Sequence, residues 1–410
     1  MINTDKKRKR IGIDARFYGP TGKGLGRYTQ EIVDNVIKID EDNEYVVFLG
    51  KDNFDEFTVE GAKAEVKKVL APVRWYTILE QVLMPFYLLK ENLDLVHFPH
   101  FNVPIFYPKK FIVTVHDLIL TKFPTTRATT LGLTFYKIKN LAYKIVIWLA
   151  VHRAKKVLAV SEFTKNDIVN SFKVKPEKIV VTYEGVANLA KGRDSLFTAK
   201  LDDSETLFGY NTGSPFILYV GNAYPHKNLE GLVRVFGEMI KNAGKRCPTP
   251  YRVLDTLRLV LVGKEDYFYK RIKDYAAGLG LYREGDKESP VVFPGYVPDA
   301  EMEILFKKAR AYVFPSFYEG FGLPPLEAMA KGCPVASSNK TSLPEVLGDA
   351  AIYFNPEDEE EMRQQIEKVI SDENLRQELI KKGFEQAKKY SWWECARKTL
   401  GVYREALKYA

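Results

Sequence analysis

Residues 312–334 read YVFPSFYEGFGLPPLEAMAKGCP, and this stretch decides the fold. Tyr312, Val313 and Phe314 have the look of a short strand buried on both faces. Gly320 and Gly322 then allow a tight turn and a close approach of backbone to ligand. Pro324 and Pro325 suit the opening of a helix, where a missing amide donor does no harm, and Gly332 suits its end. The amides near Gly322 and Leu323 therefore point at whatever sits above the turn, which is how phosphate is held. Glu319 precedes the turn and Glu327 lies in the helix, one carboxylate on each side of the expected pocket. Two glutamates at that spacing are common by chance. The weight comes from acids, glycines and prolines together, placed where α/β sheets put ligands.

The same grammar runs through the chain. Short apolar runs stand at RIGIDAR (10–16), EYVVFLG (44–50), LDLVHFP (93–99), FIVTVHD (111–117), KVLAVSE (156–162) and KIVVTYEG (178–185). A second set follows at FILYVGN (216–222), RLVLVG (258–263), VVFPGYV (291–297), AYVFPS (311–316) and CPVASSN (333–339). Separated by longer helical stretches, they predict parallel strands in two doubly wound Rossmann-like α/β domains. A chain of 410 residues suits two cores better than one. The polar stretch after 190 marks the boundary. The expected division is 1–190, a linker at 191–213, 214–390, and a closing apolar helix at 391–410 with Trp392 and Trp393. Ligand would bind in the cleft between the domains.

With those motifs in view, the chain resembles the retaining, GT-B-fold glycosyltransferases of family 4, also called group 1, which use nucleotide sugars. The resemblance implies that Glu319 contacts donor-sugar hydroxyls, that Glu327 holds the ribose, and that the turn Gly320, Phe321, Gly322, Leu323 takes the diphosphate. His116, at the end of FIVTVHD, matches the family's histidine beside the donor sugar. By residue chemistry alone His116 would be a structural histidine and Asp117 a helix cap. The loop GPTGKGLGRY (19–28) would close over the diphosphate, with Gly24 the nearest approach. Lys227, in YVGNAYPHKNL (219–229), would neutralise the leaving group. Similar enzymes add an arginine close by, whereas this chain has Asn222 and His226. His226, or Arg16 or Arg27 of the first domain, is the candidate to supply that charge. Tyr296, or its backbone, would frame the base. The family's last helix crosses back onto the first domain, and closure around donor is the expected motion.

The chemistry has to stabilise negative charge on a departing diphosphate, with a cation and helix amides or with a metal. The acidic run Asp40, Glu41, Asp42 lies in a polar stretch and not at a strand end. No essential metal and no cofactor is therefore expected. Ser161 reads as the N-cap of a helix with Thr164 nearby.

Lys and Arg number 61 against 53 acids, a net charge of +8. The three cysteines, Cys247, Cys333 and Cys395, lie far apart, which disfavours a disulfide framework or structural zinc and favours a reducing compartment. The basic opening Lys6 to Arg10 leads into a short apolar run unlike a signal peptide, so a cytoplasmic protein is expected. Leu131, Phe135, Ile138, Ala142, Ile145 and Leu149 form an apolar stripe at helical spacing, read as core. Lys137, Lys144 and Trp148 gather on another face, suited to an anionic inner leaflet and a lipid-linked acceptor. VHFPHFNVP and TVHDL lean, by resemblance, toward mannosyl- or rhamnosyl-type enzymes of surface polysaccharide assembly, with GDP-mannose the first donor to try. A GT-B-like sugar-nucleotide epimerase is the second reading. A basic membrane- or nucleic-acid-binding protein is the third, although the chain carries no nucleic-acid motif.

Overall fold

The computed structural model describes residues 8–123, 133–186, 206–207, 210–211, 214–243 and 256–408. Lys6, Lys7, Leu131, Cys247 and most of the expected linker lie outside them, as do the side chains of Lys23 and Phe135. The chain divides into two compact units, one of Met1–Pro124, Leu131–Gly185 and Ser391–Ala410, the other of Thr125–Thr130 and Val186–Tyr390.

The first unit is built on seven parallel strands: β1 (Arg10–Asp14), β2 (Glu44–Leu49), β3 (Glu65–Leu70), β4 (Leu95–Phe98), β5 (Phe111–Val115), β6 (Val157–Ala159) and β7 (Ile179–Val181). Their order is β3-β2-β1-β4-β5-β6-β7. Its helices are α1 (Lys23–Ile39), α2 (Ile78–Lys90), α3 (Ile119–Lys122), α4 (Leu133–Arg153) and α5 (Glu162–Phe172). The order reverses at β1, so right-handed crossovers send α1 to one face and α2, α4 and α5 to the other. One core confirms that second layer, with Met84 and Leu88 of α2, Ile147 and Val151 of α4 and Ile168 of α5 packed on Phe98, Val113 and Val157.

β3 had no counterpart in the sequence reading. Its EVKKVL is half-exposed along an edge, so it lacks the continuous apolar run that marks the central strands. Ser161 caps α5 as expected, accepting from the Thr164 amide at 3.0 Å.

The apolar stripe expected to be the core of α4 points the other way. Ile138 and Ile145 are exposed, while Ile147, Ala150, Val151 and Ala154 are buried. The buried set keeps a helical period of its own, and its small residues let the helix sit close on the sheet.

The second unit carries β10 (Phe216–Val220), β11 (Arg258–Val262), β12 (Val291–Gly295), β13 (Ala311–Phe314), β14 (Val335–Ser338) and β15 (Ala351–Phe354), all parallel, in the order β12-β11-β10-β13-β14-β15. Two short antiparallel strands, β8 (Thr206–Leu207) and β9 (Tyr210–Asn211), fall where the sequence suggested only linker. The helices are α6 (Leu229–Ala243), α7 (Tyr267–Gly278), α8 (Asp299–Lys308), α9 (Leu323–Ala330), α10 (Leu343–Leu347), α11 (Glu359–Ser371) and α12 (Glu373–Ala387). A last helix, α13 (Trp392–Lys408), belongs to the first unit and packs on α1.

Candidate active site

In the second unit the strand order reverses between β10 and β13, which opens a crevice beyond their carboxyl ends. The turns after these two strands carry the expected residues. After β10, Gly221 has φ 154, and the Tyr219 hydroxyl donates to the Asn222 carbonyl at 2.7 Å. The Asn222 side chain accepts from the Tyr224 amide at 3.3 Å. One 3₁₀ turn, Pro225–Lys227, then delivers Lys227.

After β13, the Glu319 amide donates to the Thr341 hydroxyl at 3.0 Å, and the Ser342 hydroxyl donates to the carbonyls of Glu319 and Phe321 at 3.1 and 3.0 Å. The Phe317 amide donates to the His226 carbonyl at 2.8 Å and so ties the two turns together. Lys227 Nζ reaches Glu319 Oε1 at 2.6 Å, and both residues are buried. The same ammonium lies 5.3 Å above the Phe314 ring.

Gly322 opens α9 with φ 99, and a Cβ there would stand 2.6 Å from Leu343 Cδ2. The turn therefore needs glycine twice over, for its dihedral and for its space. Leu323, Pro324 and Pro325 begin the helix and no side chain caps it; the two prolines carry no N–H, so the donors at its opening are the amides of Gly322 and Leu323. Glu327 sits half-buried one turn on. Both Glu319 and Glu327 bear on the Tyr312 hydroxyl, whose pKa is raised well above its ordinary value by burial first and by these charges after it.

Some expected contributors do other work here. Phe321 is buried edge-on against Tyr390, with ring centroids 5.6 Å apart, so its side chain serves packing. His226 was a candidate for the missing cation. Burial, and then the charge of Lys227, push its pKa down to about 3, which leaves the ring neutral at neutral pH. Arg16 was the second candidate. It is buried in the first unit between Asp14 Oδ2 at 2.6 Å and Glu80 Oε1 at 2.5 Å, a structural ion pair. Tyr296 is highly exposed beyond β12.

In the first unit the expected glycine loop is shorter than the sequence suggested. Pro20–Gly22 form a 3₁₀ turn and α1 starts at Lys23, so Gly24 lies in the first turn of a helix. Close packing explains two of its glycines: a Cβ on Gly22 would meet the Phe17 carbonyl at 2.3 Å, and one on Gly26 would meet the Gly19 carbonyl at 2.1 Å. Gly24 is exposed with nothing within 4 Å of such a Cβ, so its fold does not require glycine.

His116 emerges from β5. Its Nε2 lies 2.9 Å from the Pro99 carbonyl and its Nδ1 lies 3.1 Å from Glu184 Oε1. A carbonyl and a carboxylate can only accept, so these two partners favour the ring that donates from both nitrogens. Burial alone would lower its pKa, but the bond and charge of Glu184, with the Pro99 carbonyl, leave it raised. Asp117 accepts from the Ile119 amide at 2.9 Å, while the N-cap position of α3 itself belongs to Leu118. Behind His116 the edge of Tyr28 packs at 4.5 Å, and a buried chain runs from the Tyr28 hydroxyl through Thr114 and His97 to Tyr403 of α13. Sequence reasoning passed over Glu184, Thr341 and Ser342. Glu184 follows the apolar run of β7 as His116 follows that of β5, and this position at a strand end is the signal that could have found it.

Residues 22–187 match the glycosyltransferase family 4 domain, and residues 206–386 match the group 1 glycosyl transferases. O-antigen chain mannosyltransferase B of Escherichia coli is 30% identical over 394 residues, covering 93% of this chain and 96% of that protein. O-antigen chain mannosyltransferase RfbU of Salmonella typhimurium is 28% identical, covering 86% and 88%. Among solved structures, sucrose-phosphate synthase from Thermosynechococcus elongatus superposes with a TM-score of 0.72 at 18% identity, over 98% of this chain and 100% of that one. Two parallel-sheet Rossmann-like units, both family domains in succession, and near full-length similarity to a mannosyltransferase lead to one assignment: the chain belongs to the group 1, family 4 glycosyltransferases of the GT-B fold.

Proposed function

We propose that this chain transfers a hexose, mannose in the first instance, from a nucleotide-diphosphate sugar to a lipid-linked glycan in surface polysaccharide assembly, at the cytoplasmic side of a membrane. The observation that carries the reading is the Lys227–Glu319 pair beside the opening of α9, at the switch point of a parallel sheet. A diphosphate seated on the α9 amides would place its charge by Lys227 and its sugar by Glu319, while Glu327 takes the ribose. Cation and amides together suffice to stabilise the leaving group, so transfer proceeds without an essential metal and persists in a chelator. The names of the two O-antigen relatives support mannose and a polysaccharide acceptor. Retention of configuration is a family expectation carried over to this chain.

In this reading residues 214–390 hold the donor, residues 1–190 offer His116 and Gly24 on the acceptor side, and 191–213 link them. Asn222 and His226 serve by shaping the turn that presents Lys227. A thermal-shift panel of nucleotide sugars tests it. GDP-mannose should raise the melting temperature of the native protein and not that of Glu327→Ala, and a panel in which no nucleotide sugar stabilises the native chain would remove the proposal.

A further inference from the structure

We propose that Trp75, Tyr76 and His100 form an aromatic subsite that stacks a neutral pyranose ring of the acceptor glycan, and that the buried network around Arg16 and Glu80 holds this subsite in place. The inference rests on the glycosyl-transfer reading and adds the residues that meet the acceptor. Strands of one sheet deliver the rings at their carboxyl ends, where α/β folds put ligands: Phe17 follows β1, Trp75 and Tyr76 follow β3, His100 follows β4 and His116 ends β5. Trp75 stacks on the buried Phe17 ring with centroids 4.3 Å apart. Tyr76 stands edge-on to His100 at 5.8 Å, and His100 lies 6.3 Å from His116 with the two planes within 26°. The rings therefore step outward from His116 to Tyr76, which is 50% exposed.

Tyr76 has φ 60, a conformation that bulky side chains seldom adopt and that gathers at ligand sites. Its amide donates to Glu80 Oε2 at 2.8 Å, and Asn102 Nδ2 donates to the same oxygen at 2.8 Å. Arg16 pairs with Glu80 and Asp14, and its Nη1 donates to the Val73 carbonyl at 2.9 Å. Asp14, Arg16, Glu80 and Asn102 are all buried. Four buried polar side chains thus converge on residues 73–76. Buried ion pairs are a weak source of stability. This one fixes a strained, exposed ring, as a preorganised binding site requires.

The chemistry of the tip selects the occupant. Tyr and Trp offer broad apolar faces at a small entropy cost. A pyranose has a C–H face that lies on such a ring and hydroxyls at its rim that meet polar groups. The charged side chains that bear on the Tyr76 hydroxyl are Glu80 and Asp117, both acids. His100 is kept neutral, by burial first and then by the charge of His116. Acids beside a neutral ring repel a phosphate and accept from sugar hydroxyls.

The test is ligand-observed saturation-transfer NMR on the full chain with mannotriose, maltotriose and farnesyl phosphate, the last a lipid without sugar. Native protein should transfer to the ring protons of at least one trisaccharide. Tyr76→Asn and Trp75→Ala should each weaken that binding by about tenfold, and Tyr76→Phe, which keeps the ring, should stay within about threefold of native. Asparagine tolerates φ 60, so Tyr76→Asn should melt no lower than the native protein and keep its nucleotide-sugar stabilisation. Asn102→Ala, which frees one side of Glu80, should also weaken trisaccharide binding. Native protein silent to both trisaccharides, Tyr76→Asn that binds as the native chain does, or signals from farnesyl phosphate alone would overturn the subsite. Unchanged binding in Asn102→Ala would overturn the role of the network. Failure of the donor reading shows separately, as a native chain that no nucleotide sugar stabilises.

Discussion

Lys227 Nζ lies 2.6 Å from Glu319 Oε1, joining residues 92 positions apart from the turns after β10 and β13. Their side chains are 11% and 10% exposed. Charges taken this far out of water stabilise only as a pair, and removing one leaves the other unpaired at a cost of about 3–5 kcal/mol. Lys227→Met and Glu319→Leu should each lower stability by about that much. The double variant should recover most of the loss and still transfer nothing. Urea denaturation of the four proteins measures the coupling. Losses that simply add would show that the two residues do not act as a pair.

Glu184 sets the charge of His116. With a glutamine in its place, one neighbour of the ring can donate, and the imidazole no longer has to carry two protons. The sign follows from the raised pKa: the charged form contributes stability that is complete below the ordinary value near 6.5 and is lost as pH rises through the raised one. Glu184→Gln should move the alkaline limb of the pH–rate profile to lower pH and depress turnover more at pH 8 than at pH 6. A ¹⁵N-monitored titration of His116 should have its midpoint at lower pH in the variant than in the native protein.

How much of this was legible beforehand follows from where the signal sits. The central strands announced themselves because burial on both faces forces continuous apolar runs, as in FILYV and FIVTV. β3 did not, because an edge strand keeps its lysines in water. The α9 turn could be read because Gly322 is required by local geometry and the prolines suit a helix opening. The face of α4 could not, since an apolar stripe has the same period whether it meets a sheet or a bilayer, and only the fold shows which side Ile147 and Val151 occupy. Glu80, the second partner of Arg16, lies 64 positions away, and the neutrality of His226 comes first from burial, which only the fold creates. No spacing rule reaches them.

Two glycines should separate fold from function. Gly322→Ala puts a side chain at φ 99 and against Leu343, so it should lose about 1–3 kcal/mol along with nucleotide-sugar binding. Gly24 sits exposed in the first turn of α1 with open space around it. Gly24→Ala should melt no lower than the native protein, since alanine is the better helix former, and yet weaken donor binding if this position meets the diphosphate. A drop in melting temperature for Gly24→Ala would show a packing role that the open space does not predict.

Acid should unfold the protein through His97 and His226. His97 is fully buried, with Nδ1 2.7 Å from the Tyr403 hydroxyl and Nε2 2.9 Å from that of Thr114. Burial, and then the charge of His116, lower its pKa to about 3, and His226 is lowered as far by burial and Lys227. A depressed pKa contributes stability that is whole above the unfolded value near 6.5 and is lost as pH falls toward the folded one. At pH 5 the unfolded chain has bound protons that the folded chain refuses, which removes about 2 kcal/mol per histidine. Melting temperature should therefore fall steadily from pH 7 to pH 5. His97→Gln should start lower at pH 7, because a less suitable partner faces the two hydroxyls, and should then fall less steeply. A native melting curve independent of pH across that range would show that neither ring is held neutral.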